Sequence, residues 1–272
     1  MVSQEQRRRQ LAREKFLRQQ QRRTSARRKS RARNAAIASV LGVVLIGSAA
    51  LYTTGALKGD DKTAAGAEVT PSPAETSKAP DPCAKPAEGE PTTQTWEKEP
   101  KLTVDKSASY TMKLATTCGD VDIALKASAA PHTVNSFDFL ASKGYFDHTP
   151  CHRLTTGGIY VLQCGDPTGQ GNGGPGYTIP DENLKDESLK GDVYPAGTVA
   201  MANTGQPGSG GSQFFLVYQD SPLPPSYTPF GTVSEAGMKV LKKISDAGEN
   251  TGAGDGAPNA TVVIDKATVT KS

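Results

Sequence analysis

Histidine is scarce in this chain, three residues in 272. None of His132, His148 and His152 stands in a Ser/His/Asp arrangement or in a His/Asp/Glu cluster at ligand spacing. No Gly-rich phosphate loop opens a helix, and none of the four cysteines forms a C-x-x-C pair. Hydrolysis, phosphoryl transfer, zinc and thioredoxin chemistry therefore have no local support, and neither a metal nor a cofactor is called for. Large apolar residues are also missing from 58 to 100, where Ala, Pro, Thr, Glu, Lys and Gly dominate and only Val69 and Trp96 stand out. Such a composition cannot offset its ordering entropy, so a disordered linker is expected there. Packing is expected to begin near Trp96 and Leu102.

Charge is distributed very unevenly. The first 33 residues hold thirteen Lys or Arg against Glu5 and Glu14, a balance of +11; the whole chain is +3, so the remainder carries −8. Directly after the basic segment, residues 35–57 form an uncharged run of 23. As a helix this run would be about 35 Å long, enough to cross a hydrocarbon core of roughly 30 Å. The Lys/Arg excess on its N-terminal side orients the N-terminus to the cytoplasm and the rest of the chain outside. A cleaved signal peptide is the competing reading, but its apolar region usually runs to only ~7 to 15 residues. A polybasic segment beside a span is explained by anionic lipid and orientation, so nucleic-acid binding is not expected. The expected organisation is a basic cytoplasmic segment (1–34), a single transmembrane helix (35–57), a linker (58–100) and a domain (101–272), the last in an extracytoplasmic compartment where disulfides persist. Cys83, Cys118, Cys151 and Cys164 all lie beyond the apolar run and allow three pairings.

From about residue 101 the pattern becomes short β-type runs separated by turns, the signature of an antiparallel barrel or sandwich. Tyr110 to Thr117 and Val121 to Leu125 flank Cys118-Gly119-Asp120 and predict a hairpin. Pro131 to Ser142 places Val134, Phe137, Leu140 and Ala141 on one helical face after a proline suited to a first turn. Met238, Leu241 and Ile244 predict a second short helix. Within this β-rich framework Arg153, Gln163, Asn203 and Gln213 sit in apolar or Gly-rich contexts. Neutral amides and one guanidinium can bind and polarise a peptide but cannot easily cleave it.

Several segments, in order and in spacing, resemble the cyclophilin family of peptidyl-prolyl isomerases. They are Cys151-His152-Arg153-Leu154 with Tyr160-Val161-Leu162-Gln163-Cys164-Gly165-Asp166; Gly169 to Tyr177 with Ile179-Pro180-Asp181-Glu182; Val199-Ala200-Met201-Ala202-Asn203 with Gly211-Ser212-Gln213-Phe214-Phe215; and Pro229-Phe230-Gly231-Thr232-Val233. The resemblance implies a closed eight-stranded antiparallel β-barrel capped by two helices. It implies that the chain is an isomerase of X-Pro bonds, with Arg153, Gln163 and Phe215 as catalytic residues, and the expected placement outside the membrane makes exported proteins its substrates. Tyr160, Val161, Met201, Ala202, Asn203, Gln213, Leu223 and Tyr227 are implied to bind substrate, Ala202 through its backbone. Phe214 and Phe215 must face opposite sides of their strand, and the resemblance assigns Phe215 to the pocket. His152 is expected to be structural or at the rim, His132 and His148 solvated, and Asp166 a support for the Gly-rich turn. A monomer binding proline-containing polypeptides is expected. A peptide-binding or chaperone-like module with little turnover is the alternative.

The sequence departs from the family pattern in three places. Cys151 and Cys164 replace the usual Phe and Gly, and a hairpin between their strands would let them pair as a disulfide. Thr155-Thr156-Gly157-Gly158 lengthens the turn after Arg153 by two residues. Ser221 to Tyr227 lacks the family's tryptophan, with Leu223 keeping the leucine's role and Tyr227 taking the histidine's place, so weak cyclosporin affinity is expected.

Overall fold

The structure, a computed structural model, describes residues 80–272, all within one compact unit. The expected basic segment, transmembrane helix and first part of the linker, residues 1–79, lie outside the described residues. Among the described residues no helix is long and apolar enough to cross a membrane.

Period-two alternation builds the first hairpin. β1 (Tyr110–Thr116) turns Tyr110, Met112 and Leu114 inward, and β2 (Gly119–Leu125) does the same with Val121, Ile123 and Leu125. The two strands pair antiparallel from Tyr110↔Leu125 to Thr116↔Gly119, as the sequence predicts. Gly119 takes φ 131°, a value that favours glycine at this tight turn.

Helix α1 (Pro131–Ser142) begins with a proline whose missing N–H would have had no partner in the first turn. Its N-cap residue, Ala130, supplies no side-chain acceptor. The Glu182 carboxylate does so from 50 residues away in sequence, accepting from His132 N at 3.0 Å, Thr133 N at 2.9 Å and Thr133 Oγ1 at 2.9 Å. A carboxylate at a helix N-terminus also meets the positive end of the dipole. Val134, Phe137, Leu140 and Ala141 are buried as one face, and Phe137 packs on Phe230, Phe146 and Phe214 at centroid distances of 4.5, 5.2 and 5.5 Å. Helix α2 (Glu235–Asp246) is capped by Ser234, whose Oγ accepts from Gly237 N at 3.1 Å. It buries Gly237, Leu241 and Ile244, leaving Met238 at the margin.

The other strands are β3 (Thr149–Pro150), β4 (Arg153–Thr155), β5 (Val161–Cys164), β6 (Val193–Tyr194), β7 (Thr198–Met201), β8 (Phe214–Val217), β9 (Ser221–Pro222), β10 (Pro229–Val233), β11 (Asp255–Gly256) and β12 (Val263–Lys271). Ten of the twelve strands among the described residues form one antiparallel sheet in the order β11-β4-β5-β8-β7-β10-β2-β1-β12-β3, and β6 pairs with β9 separately. The mainly β architecture with two helices is thus as expected, but the closed eight-stranded barrel is not. β11 and β3 end the sheet without pairing to each other, which makes it a half-barrel. Both are two-residue strands, too short to carry a ladder across the gap.

The linker expectation needs a larger correction. Residues 80–100 are held against the domain rather than disordered. Cys83 is bridged to Cys118, Asp81 accepts from Thr261 N, Ala87 N donates to Asp265, and Trp96 N donates to Pro175 O at 2.8 Å. Trp96 packs on Phe139 and Tyr145 at 5.1 and 5.9 Å. Composition fails here because the segment needs no core of its own; it borrows the domain's surface and a covalent tie. Leu102, expected to begin the packing, is instead the exposed large apolar residue among those described.

Candidate active site

Three register relations place the key residues in one row. Arg153 on β4 stands opposite Gln163 on β5, Gln163 opposite Phe215 on β8, and Phe215 opposite Ala200 on β7. Residues directly opposite in a sheet share a face. Arg153, Gln163 and Phe215 therefore project to one side, while their neighbours Leu154, Leu162 and Phe214 enter the main core. Phe215 joins a second apolar cluster with Val161, Tyr194, Ala200 and Val217.

The polar groups form a directed chain. Arg153 donates from Nε to Asp255 Oδ1 at 2.7 Å and from Nη2 to Asp255 Oδ2 at 2.8 Å, while Nη1 donates to Gln163 Oε1 at 3.1 Å. A guanidinium can only donate, which fixes the Gln163 amide with its oxygen toward Arg153. Gln163 Nε2 then donates to Gln213 Oε1 at 2.9 Å, and Gln213 Nε2 to Gly173 O at 2.9 Å. The hydrogen bond to Asp255 raises the Arg153 pKa further above its ordinary value, and the same bond holds the Asp255 carboxyl below the usual carboxylate range.

Beside this chain lies a cavity of about 220 Å³ lined by Ile159, Val161, Ala202, Asn203, Phe215, Leu223 and Tyr227 with Arg153 and Gln163 at its rim. Phe215 and Tyr227 meet edge to face at 5.4 Å. Tyr227 is held by the buried Tyr194, whose hydroxyl donates to Tyr227 O at 2.7 Å and accepts from Tyr227 N at 3.1 Å; burial pushes the Tyr194 phenol up to about 12. Leu223 N donates to Asp192 O, and Asn203 Nδ2 to Ser226 O. The proline-rich 221–227 segment is thus tied down along its length. A second, larger groove of about 930 Å³ shares Gln163, Ala202 and Asn203 with the first and runs beneath the Gly-rich loop, with Glu97, Lys98 and Glu99 on its wall.

Eight of the expected site residues line the smaller cavity, and Gln213 lines the adjoining groove. Two do not. Tyr160 points away and packs edge-on against Tyr218 at 6.0 Å, and Ile159 enters the cavity in its place. Met201 is 3% exposed and belongs to the main core. Ala202, expected to offer its backbone, has its N–H already engaged with Gln213 O at 3.0 Å.

Cys151 and Cys164 are bridged, tying the residue two before Arg153 at the start of β4 to the last residue of β5, next to Gln163. Asp166 carries the Gly-rich turn as expected: its carboxylate accepts from the N–H groups of Thr168, Gly171, Asn172 and Gly173. Burial alone would raise its pKa, but the hydrogen bonds from Gly173, Thr168 and Gly171 outweigh that and hold it below the ordinary value. His152 is half-buried next to Gly171, and burial lowers its pKa. His132 is at the surface, 3.1 Å from Glu99. His148 departs from expectation: its ring lies against Gly89 and its Nδ1 is buried with no hydrogen-bond partner among the described residues.

Sequence reasoning missed Ile159, Tyr194 and Asp255. Ile159 was accessible through its two-residue spacing from Val161. Asp255 stands between Gly254 and Gly256 with no pattern to single it out, and its partner is 102 residues away.

An apolar pocket bordered by an anchored guanidinium and two amides has the chemistry to grip and polarise a peptide. Residues 111–269 match the family described as cyclophilin type peptidyl-prolyl cis-trans isomerase/CLD. Over 166 residues the chain is 46% identical to Probable peptidyl-prolyl cis-trans isomerase B of Mycobacterium leprae, covering 58% of this chain and 56% of that protein. With peptidyl-prolyl cis-trans isomerase B of Bacillus subtilis it shares 39% identity over 127 residues, 46% of this chain and 83% of that protein. A crystal structure of a Cryptosporidium parvum cyclophilin type isomerase superimposes with TM-score 0.50 and 27% identity, covering 60% of this chain and 99% of that one. The chain belongs to the cyclophilin-type peptidyl-prolyl cis-trans isomerase family. It spans a little over half the length of the mycobacterial relatives it matches.

Proposed function

We propose that this chain catalyses cis/trans exchange of X-Pro bonds, with Arg153 as the group that polarises the prolyl amide. The observation that carries the proposal is the guanidinium, held by Asp255 and Gln163, at the rim of a cavity walled by Val161, Phe215 and Leu223. The X-Pro bond resists rotation through amide resonance, with a barrier of ~18 to 20 kcal/mol. Seating the proline ring among the apolar side chains brings its nitrogen toward Arg153. A hydrogen bond donated to that nitrogen is stronger when conjugation is broken than when it is intact, so it lowers the barrier rather than merely adding affinity. Gln163 and Gln213 hold the flanking peptide. No proton transfer or nucleophile enters. A structural neighbour, again from Cryptosporidium parvum and 28% identical, was crystallised in the presence of the dipeptide Ala-Pro, which supports a proline-containing ligand for this pocket.

We further propose that the domain works outside the membrane on exported polypeptides, tethered by residues 35–57 with the basic N-terminus in the cytoplasm. The asymmetric charge about the apolar run supports this orientation. Protease added to intact cells should remove the domain; a fully protected domain would reject that placement.

The catalytic reading is tested by prolyl isomerisation of a short peptide with the wild-type chain and Arg153→Ala. A loss in kcat/KM with peptide binding retained is expected. Equal activity in both removes Arg153 from the mechanism, and binding without acceleration in either favours a proline-peptide-binding module.

A further inference from the structure

The geometry points to Asp255 as the positioning residue of the catalytic centre: it clamps one edge of the Arg153 guanidinium so that the other edge faces Gln163 and the proline cavity. This rests on the isomerase reading above.

Arginine has a long side chain whose head, left alone, samples many orientations, and a catalytic donor misplaced by an ångström acts poorly. Asp255 removes that freedom with two parallel hydrogen bonds, at 2.7 and 2.8 Å, to Nε and Nη2. This two-pronged match defines a plane as well as a point. Nη1, the nitrogen left over, is the one directed to Gln163 at 3.1 Å. The pair lies at the surface, Arg153 37% and Asp255 55% exposed, and an ion pair so solvated contributes little to stability. Its consequence is therefore orientation.

The surroundings are built to present this carboxylate. Asp255 lies on β11, which pairs with β4 through Asp255↔Thr155, two residues along the strand from Arg153. The loop before it is folded around Glu249, whose carboxylate accepts from Thr251 N and Oγ1 at 2.6 Å each and from Gly254 N at 2.9 Å. The lengthened turn after Arg153 docks on that loop. Thr156 N donates to Gly254 O at 2.9 Å, and a side chain built on Gly254 would come within 3.4 Å of the Gly157 backbone. Two features without a role so far, the extra turn residues and the Gly-rich loop 248–256, thus meet where Asp255 grips Arg153.

The experiment uses five full-length chains, wild type, Asp255→Ala, Asp255→Glu, Arg153→Ala and the Asp255→Ala/Arg153→Ala double variant, with kcat and KM measured on one proline peptide. Asp255→Ala should lower kcat by roughly tenfold to hundredfold with KM little changed, since the cavity walls are untouched. In the Arg153→Ala background the same substitution should change kcat less than twofold, and Asp255→Glu should recover part of the loss. The Arg153 Nε–H resonance should exchange slowly with solvent in the wild type and rapidly in Asp255→Ala. Equal losses in both backgrounds would mean a merely structural role and overturn the inference, as would an unchanged kcat for Asp255→Ala while Arg153→Ala remains impaired. Identical rates for wild type and Arg153→Ala would instead sink the catalytic reading of Arg153, and the role of Asp255 with it.

Discussion

Residues 80–109 and the strands β4, β5, β8 and β7 are held in place by opposite means. The strands carry the site on a ladder of backbone pairs, so that Arg153, Gln163, Phe215 and Ala200 fall in one row by register alone. The arm from 80 to 109 contains no helix or strand. It is fixed by a disulfide, by Trp96 against Phe139 and Tyr145, and by the Asn135 carboxamide oxygen accepting from Thr103 N at 2.8 Å and Val104 N at 3.2 Å. A ladder distributes its cohesion over many small contributions. The arm concentrates it in a few, so single changes should release the arm and leave the row standing.

The sharpest way to break this contrast is to remove the Cys83–Cys118 bridge. It spans 35 residues, and closing a loop of that length constrains the unfolded chain by about 4 kcal/mol. Cys83→Ser with Cys118→Ser should lower unfolding stability by about that amount in denaturant titration. Trp96 is the sole tryptophan, so its emission should shift to the red as the arm loosens. Isomerisation of a short peptide under native conditions should be unchanged, because neither cysteine borders the cavity of the row. A loss of activity matching the loss of stability would show that arm and row are one cooperative unit. The mirror experiment is Arg153→Ala. It should cost about a hundredfold in kcat/KM, near 2.7 kcal/mol of barrier, and shift stability by no more than about 0.5 kcal/mol because the side chain is partly solvated.

The same contrast explains what the sequence made legible. Alternation in Tyr110–Leu125, the apolar face of α1 and the consecutive Phe214 and Phe215 are local patterns, and each led to the observed element or facing. The bridge between Cys151 and Cys164 is one of three pairings the sequence leaves open, favoured by the hairpin expected there, and the structure has it. The arm was misjudged because low hydrophobicity measures a segment's own capacity to bury surface and says nothing about surface offered by a partner. Tyr160 was placed in the cavity by resemblance, against the alternation from Val161 that puts Ile159 there. Asp255 and the α1-capping Glu182 act across 102 and about 50 residues, through side-chain contacts that leave no periodic trace. Closure of the barrel was over-read because edge strands of two residues are set by loop geometry, which motif spacing does not encode.

A smaller effect tests whether the Gly-rich loop belongs with the row or with the arm. Asp166 is fully buried and serves the loop through backbone N–H groups, an arm-like mode of fixation, yet the loop reaches the row through Gly173 O and Gln213. A carboxyl whose folded pKa is depressed stabilises the fold above its unfolded value, near pH 4, and that stabilisation is lost as pH falls through the lowered folded value. The wild type should therefore lose stability on acidification below about pH 4, and Asp166→Asn should flatten this part of the profile. At neutral pH the variant should be less stable by about 1 to 3 kcal/mol, because an amide cannot accept from several N–H groups as a carboxylate does. If the Gln213–Gly173 link couples the loop to the row, kcat/KM should fall along with stability in Asp166→Asn. Unchanged kcat/KM would place the loop with the arm, as a part fixed beside the site without setting its geometry.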